Sequence, residues 1–159
     1  MSTGELGKAL TTLFSELADG APTKGSYMLN GGDPGLLRSL DKLSAAAASA
    51  TVQGGASIAA HADHLRYGLS LMNRWAAGEN PWDSADWTTS WKKTRVSDAE
   101  WKKLRAELAE EAHNWIVALS KVRKVDQAEL NGMIGSIAHF AYHVGAIRQI
   151  NRDTRGPAA

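Results

Sequence analysis

Two histidines four residues apart, His139 and His143, are the residues of this chain best suited to chemistry. They stand in the run His-Phe-Ala-Tyr-His, within a helix that the sequence predicts over residues 128–151. Residues at this spacing are neighbours on a helix surface, with Cβ atoms ~5–6 Å apart, so two imidazoles can bind one ion. The spacing indicates a metal site, and the alternative is that the two histidines merely share one packing surface.

The other faces of this helix favour the metal interpretation. At ~100° per residue, one apolar face is formed by Leu130, Met133, Ile134, Ile137, Ala141 and Val144. The histidines fall on the opposite side, among Gly132, Gly135, Ser136 and Ala146, with Ile147 and Ile150 beyond them. A helix that is apolar on both sides is expected to be buried on both sides, and small residues beside the imidazoles leave space for a pocket.

A second long helix, predicted over residues 57–77, carries two more histidines, His61 and His64, on a broad apolar face. Asp63 lies about 200° from His61 around this helix, so we expect it to face solvent and not to be a ligand. A lone inward histidine is commonly a core residue. Two inward pairs on two helices strengthen the metal hypothesis.

Composition restricts the class of protein. The 159 residues fit a single domain, 1–159, that is long enough to bury a core. A formal net charge of +1 without a basic run argues against a nucleic-acid partner. The sequence shows neither a secretory leader nor an apolar stretch of about eighteen residues, which predicts a soluble cytoplasmic protein without a membrane partner. Since there are no cysteines, metal ligands would be histidine or carboxylate, and any thiol must come from a partner molecule.

Helix signals recur along the whole chain, and strand signals are lacking. Thr3 is expected to cap a first helix that ends near Ala18, and Asp33-Pro34 to open a short one. A third long helix starts at the capping box of residues 97–100, with His113 on its solvated side. The last helix is expected to be capped by Asp126 and followed by a mobile tail, residues 152–159. These patterns predict an all-α helix bundle with one additional short helix.

About nineteen residues separate the second and third long helices, and they include Trp82, Trp87 and Trp91. Extended at ~3.3 Å per residue, such a link can cross from one end of a helix to the other. Its tryptophans could form a lid over the pocket, pack the link onto the bundle or bury a dimer surface. Packing is the interpretation that the sequence favours, because tryptophan anchors irregular segments through its large area.

The segments 57–65 and 139–148 resemble the DinB-like superfamily of damage-inducible and thiol-transferase proteins, and the similarity in helix order covers most of the chain. The resemblance implies a four-helix bundle of up-down-down-up topology with a long crossover between helices two and three. It implies a divalent metal held by His64, His139 and His143, and a homodimer. Some such proteins transfer a low-molecular-weight thiol. Ala146 stands where the family commonly has glutamine, so a role for that amide is not carried over.

Three imidazoles suit zinc, nickel or ferrous iron and leave coordination positions open for water or substrate. His61 is expected to be a neighbouring polar group, with a fourth ligand as the alternative. Access to the metal is expected to be limited by Tyr142, Arg66 or residues 81–91. The sharpest functional hypothesis is a metal-dependent thiol S-transferase. Its rival is a non-catalytic metal- or ligand-binding stress protein that works as a homodimer.

Overall fold

The computed structural model describes residues 3–158, and these form helices and connecting turns with no β-strand. The all-α class predicted from the sequence is confirmed. The six α-helices are α1 (Gly4–Asp19), α2 (Gly35–Asp41), α3 (Ala45–Ser49), α4 (Ile58–Ala76), α5 (Asp98–Ser120) and α6 (Gln127–Ile150). Three short 3₁₀ turns, Trp82–Ser84, Thr89–Trp91 and Arg152–Thr154, lie in the connections and after α6.

Side-chain caps fix where the long helices start. Ser57 accepts a hydrogen bond from Ala60 N at the start of α4. Ser97 and Asp126 form complete capping boxes with Glu100 and Glu129 at the starts of α5 and α6, as the sequence predicts. The predicted cap at Thr3 is wrong: its backbone is already helical, and its hydroxyl instead bonds the carbonyls of Lys121 and Arg123.

The four long helices share one apolar core. Both α1 and α4 pack against α5 and α6. The Phe14 and Phe140 rings meet between α1 and α6 with centroids 4.8 Å apart, and both side chains are fully buried. Trp101 and Trp115 are buried on α5, and their indole N–H groups bond Leu43 O and Ser136 Oγ. Burying these large rings supplies much of the hydrophobic stabilisation of the core.

Contacts between α4 and α5 join residues that lie similarly far along the two helices, counted from their starts. The Ser57 hydroxyl donates to Thr94 O at 2.7 Å, just before α5 begins. Further along, the Asn73 side-chain amide donates to Glu111 O at 2.9 Å. Residues 77–97 connect the end of α4 to the start of α5, and they form an extended link with two 3₁₀ turns, as the sequence predicts, and not a tight turn.

The expectation of one additional short helix is wrong: the described residues form two, α2 and α3, because the Ser44 side chain caps a second helix start by accepting from Ala47 N. Two smaller segments also differ from the sequence expectation. The short helix α2 begins at Gly35, one residue later than expected, while the Asp33 carboxylate accepts from Gly35 N and from Arg148. Of the predicted mobile tail, residues 152–158 carry a 3₁₀ turn and bond the rest of the chain. Thr154 is fully buried, and the Asn30 amide donates to Pro157 O. Ala159 lies outside the described residues.

Candidate metal centre

Helices α4 and α6 bring four histidines together at one place. His61 and His64 come from α4, and His139 and His143 come from α6. His61, His64 and His143 are buried, whereas His139 is half-buried. The expectation that both histidine pairs point inward is confirmed.

Three of these side chains converge through their Nε2 atoms. His139 Nε2 lies 3.0 Å from His64 Nε2 and 3.1 Å from His143 Nε2. One ligand atom from each of the three residues lies within 4.8 Å of the others. Two ligand atoms bound ~2.0–2.1 Å from a tetrahedral zinc ion are themselves ~3.3 Å apart, so the spacing suits a shared ion. His64, His139 and His143 could therefore hold a metal ion.

The proton position on His64 is fixed by a residue that the sequence did not single out. His64 Nδ1 lies 2.8 Å from Ser90 Oγ, and the Ser90 hydroxyl donates its only hydrogen to Trp87 O at 2.7 Å. Ser90 must therefore accept from His64, so Nδ1 carries the proton and Nε2 keeps its lone pair toward the cluster. Such a partner orients a metal-binding histidine and selects its tautomer.

His61 lies behind His143 and outside the group of converging nitrogens. Its Nδ1 is 2.8 Å from His143 Nδ1, on the side of that ring opposite to Nε2. When His143 donates this proton to His61, its Nε2 is left with a free lone pair facing His139. His61 is thus placed to orient a neighbour, as the expectation of a nearby polar group requires.

Asp63 does not face solvent, and that part of the sequence interpretation is wrong. The residue is only 6% exposed, and its carboxylate accepts from Arg66 Nε at 2.9 Å. Arg66 also lies 3.9 Å from Glu107 of α5. Because α5 packs along α4, a side chain turned away from the histidines contacts another helix instead of water.

The surface position expected for His113 is confirmed, and its side chain bonds Asp19 there.

Burial keeps these imidazoles neutral. Desolvation lowers the pKa of His64 to about 4, with a smaller contribution from the neighbouring histidines. Desolvation and the same neighbours lower the pKa of His143 to about 3, and burial also lowers the pKa values of His61 and His139. Neutral imidazole is the form that binds a metal, so the nitrogen lone pairs are available at neutral pH.

The link between α4 and α5 covers the histidines, as the lid interpretation requires. Trp91 stacks on His64 with ring centroids 4.3 Å apart, and Trp87 lies 5.5 Å from the same ring. Trp82 instead packs against Trp75. The Tyr142 and His143 ring centroids are 5.1 Å apart, but Tyr142 is 70% exposed, so it borders the site without covering it.

Asp86, for which the sequence gives no signal, organises this lid. Hydrogen bonds from the Thr88 and Thr89 hydroxyls lower the pKa of Asp86 to about 2, so its carboxylate is ionised at neutral pH. The Asp86 backbone N–H also donates to the Tyr67 hydroxyl of α4 at 2.8 Å. These bonds hold the turn that presents Trp87 and Trp91.

An apolar pocket of about 220 Å³ lies beside His139. Both α4 and α6 contribute walls, and Trp82 and Trp87 of the link complete them. The glycines that the sequence places near the imidazoles do leave space: Gly132 and Gly135 line the pocket together with Gly68. Ile134, expected on the buried face of α6, is 48% exposed instead.

Comparisons with models of protein families, with curated proteins and with solved structures find no match to this chain. Among the described residues, no helix combines the length and apolar character needed to cross a bilayer. The interpretation of the site therefore depends on its own geometry.

The lowered histidine pKa values predict acid sensitivity of the metal-free protein. Between pH 6.5 and about 4, His64 and His143 bind protons in the unfolded chain but not in the folded one. The free energy of unfolding should therefore fall as the pH falls, by about 1 kcal/mol per histidine at one pH unit below 6.5. Urea unfolding at pH 7.5 and 5.5, in the presence of a chelator, measures this difference.

His113→Asn is the matched control, since that histidine is exposed, and it should retain the acid sensitivity. His143→Asn should reduce it. Equal unfolding free energies at the two pH values would contradict the lowered pKa values.

Proposed function

We propose that this protein binds one divalent metal ion through His64, His139 and His143, and uses it to activate a low-molecular-weight thiol for transfer. The convergence of the three Nε2 atoms, with separations of 3.0 and 3.1 Å about His139, carries the proposal. The absence of cysteine requires that the thiol come from a second molecule. A cytoplasmic location, where small thiols are kept reduced, accords with this activity.

The donor set fits the metal. Three neutral imidazoles suit zinc, nickel or ferrous iron, and three protein ligands leave coordination positions open. When bound, such an ion would lower the pKa of a coordinating thiol and so supply a nucleophile at neutral pH. His61 is not required as a ligand, because it lies on the far side of the His143 ring.

The remaining residues of the site prepare the ligands. Ser90 holds the proton of His64 on Nδ1, and His61 can accept the proton of His143 Nδ1, so both Nε2 lone pairs point inward. Trp91 and Trp87 cover His64 and exclude water from that side. A dry, oriented set of lone pairs reduces the reorganisation needed when a cation binds.

In the transfer itself, the thiol sulfur would attack an electrophilic carbon of a co-substrate. A carbon–sulfur bond forms while the bond from that carbon to its leaving group breaks. The leaving group takes the bonding electron pair, and the thiol proton passes to solvent. The apolar pocket next to His139 offers a place for the co-substrate.

A DinB-like four-helix bundle of up-down-down-up topology is the arrangement that we propose for the fold. Ser57–Thr94 and Asn73–Glu111 contacts support a parallel course for α4 and α5. Thr3–Arg123 and Asp19–His113 contacts support opposite directions for α1 and α5. The histidine pairs support opposite directions for α4 and α6, because His61 meets His143 and His64 meets His139.

Metal content of alanine variants tests the ligand assignment. His64→Ala, His139→Ala and His143→Ala should each lose most of the metal, whereas His61→Ala should still bind the metal, weakened at most to the extent of Ser90→Ala. Ser90→Ala should bind more weakly by about 10–100-fold, the usual effect of removing a group that orients a ligand. Mass spectrometry of dialysed protein loaded with zinc, nickel or ferrous iron gives the stoichiometry.

His113→Ala serves as the control, because it removes a histidine that lies outside the cluster. Loss of metal from His61→Ala with retention by His64→Ala would refute the assignment. Loss from both would indicate a four-ligand site.

Thiol transfer is tested with metal-loaded protein, a panel of small thiols and a panel of electrophiles. We expect a faster loss of free thiol than in the uncatalysed reaction, abolished by a chelator and by His139→Ala. If metal binds but no thiol is consumed, the non-catalytic metal-binding protein is the correct alternative.

A homodimer is the proposed assembly, and the exposed edge of α6 is its proposed interface. Ile134 and Tyr142 project there with only small residues, Ala138 and Gly145, between and beyond them. Light scattering at micromolar concentration should give twice the 17.0 kDa chain mass. Tyr142→Glu should shift the protein toward the monomer, whereas Val117→Glu, at an exposed position on α5, should not. A wild-type mass of one chain would contradict the dimer.

A further inference from the structure

We infer that the pocket beside His139 binds an uncharged small molecule that carries an aromatic ring, and that this molecule is the co-substrate of the site. Only the role of this molecule as co-substrate rests on the proposed function. The binding follows from the pocket itself, whose walls, size and position each restrict the ligand.

The walls of the pocket exclude a charged ligand. Aspartate, glutamate, lysine and arginine are all missing from its lining. The Ser136 hydroxyl is already engaged, since it accepts from Trp115 Nε1 at 2.9 Å and donates to Met133 O at 2.7 Å. A charge placed there would lose its water and meet no side chain of opposite charge, so the ligand that fits is uncharged. Apart from His139, the other lining side chains are aliphatic or aromatic: Leu65, Leu69, Met72, Trp82, Trp87 and Phe140.

The size of the pocket suits a single substituted ring. An apolar protein cavity of about 150 Å³ takes up benzene, and this pocket has about 220 Å³. Trp82 and Trp87 form one side of it, and ring faces and edges of this kind favour an aromatic partner. Both tryptophans keep exposed surface, as expected for residues at the entrance of a binding pocket.

Glycine keeps the space open on the side nearest the histidines. A Cβ atom at Gly68 would lie 3.4 Å from Trp87 Cζ3 and 3.9 Å from His139 Cε1, so a side chain there would stand between lid and ligand. A Cβ atom at Gly135 would meet nothing within 4 Å. Both positions can therefore be filled without backbone strain, and filling them would take volume from the pocket.

The position of the pocket joins it to the candidate metal centre. His139 lines the pocket, and its Nε2 is also the atom on which the other two histidines converge. Trp87 likewise lines the pocket and contacts His64. A ring held against the tryptophans would therefore lie next to the histidine cluster.

The test uses the full chain in metal-free form, titrated with benzyl alcohol and followed through the tryptophan indole N–H signals by NMR. Signals of Trp82 and Trp87 should shift with saturation, whereas that of Trp101, which is bonded to Leu43 O, should not. Benzoate and benzylammonium should produce no saturable shift. Equal binding of the charged probes, or no saturable shift with benzyl alcohol, would overturn the inference.

Gly68→Ala and Gly135→Val should weaken benzyl alcohol binding by about tenfold or more, the usual effect of an added methyl group in an apolar pocket. Gly4→Val is the matched control, since it is also a helix glycine with open space around it but lies on α1, outside both the pocket and the proposed interface. It should bind like the wild type, and equal weakening in all three variants would contradict the assignment.

The same titration on His64→Ala separates this inference from the proposed function. If His64→Ala loses the metal but still binds benzyl alcohol, the pocket inference is supported independently of the thiol chemistry. If the wild-type protein binds metal but not benzyl alcohol, the pocket inference alone is contradicted.

Discussion

The site depends on holding several histidines together in a dry place without charging them. Imidazoles with nitrogens about 3 Å apart would repel one another strongly if protonated, and water is largely excluded from them. The structure meets this constraint by burial, which lowers the histidine pKa values, and by hydrogen bonds that decide which nitrogen keeps its proton. Both devices need the link and the helices in place at once. The lone pair of one ring nitrogen is directed at the cluster when the other ring nitrogen is held by a hydrogen bond.

Helical periodicity explains why so much of the site could be predicted. A period of ~3.6 residues puts His139 and His143 on one face, and the same arithmetic puts His61 and His64 inward on α4. Capping residues likewise fixed the starts of α5 and α6. These are local properties, and local properties can be read from adjacent residues. The all-helical class follows from them without any knowledge of how the helices pack.

What could not be predicted depends on contacts between distant segments. Asp63 was expected in solvent because a helical wheel gives the direction of a side chain but not the element that packs against it. In the structure, α5 packs against α4. Ser90 and Asp86 lie in a link without periodicity, where no face can be assigned, so neither was recognised. Three tryptophans in that link could not be told apart in the sequence, yet Trp87 and Trp91 contact His64 while Trp82 contacts Trp75.

Glycine within helices costs ~0.5–1 kcal/mol of stability relative to alanine. Gly132 shows the compensation, since a Cβ there would collide with Trp75.

The hydrogen bond between His64 and Ser90 makes the link and the ligand one thermodynamic system. Anything that binds His64 Nε2 favours the tautomer protonated on Nδ1, and that tautomer is the one that donates to Ser90. Occupation of the site therefore strengthens the attachment of the link, and by reciprocity an attached link raises the affinity of the site. An open link would leave His64 free to exchange tautomers and expose it to water. Closure and metal affinity are then two measures of a single coupling free energy.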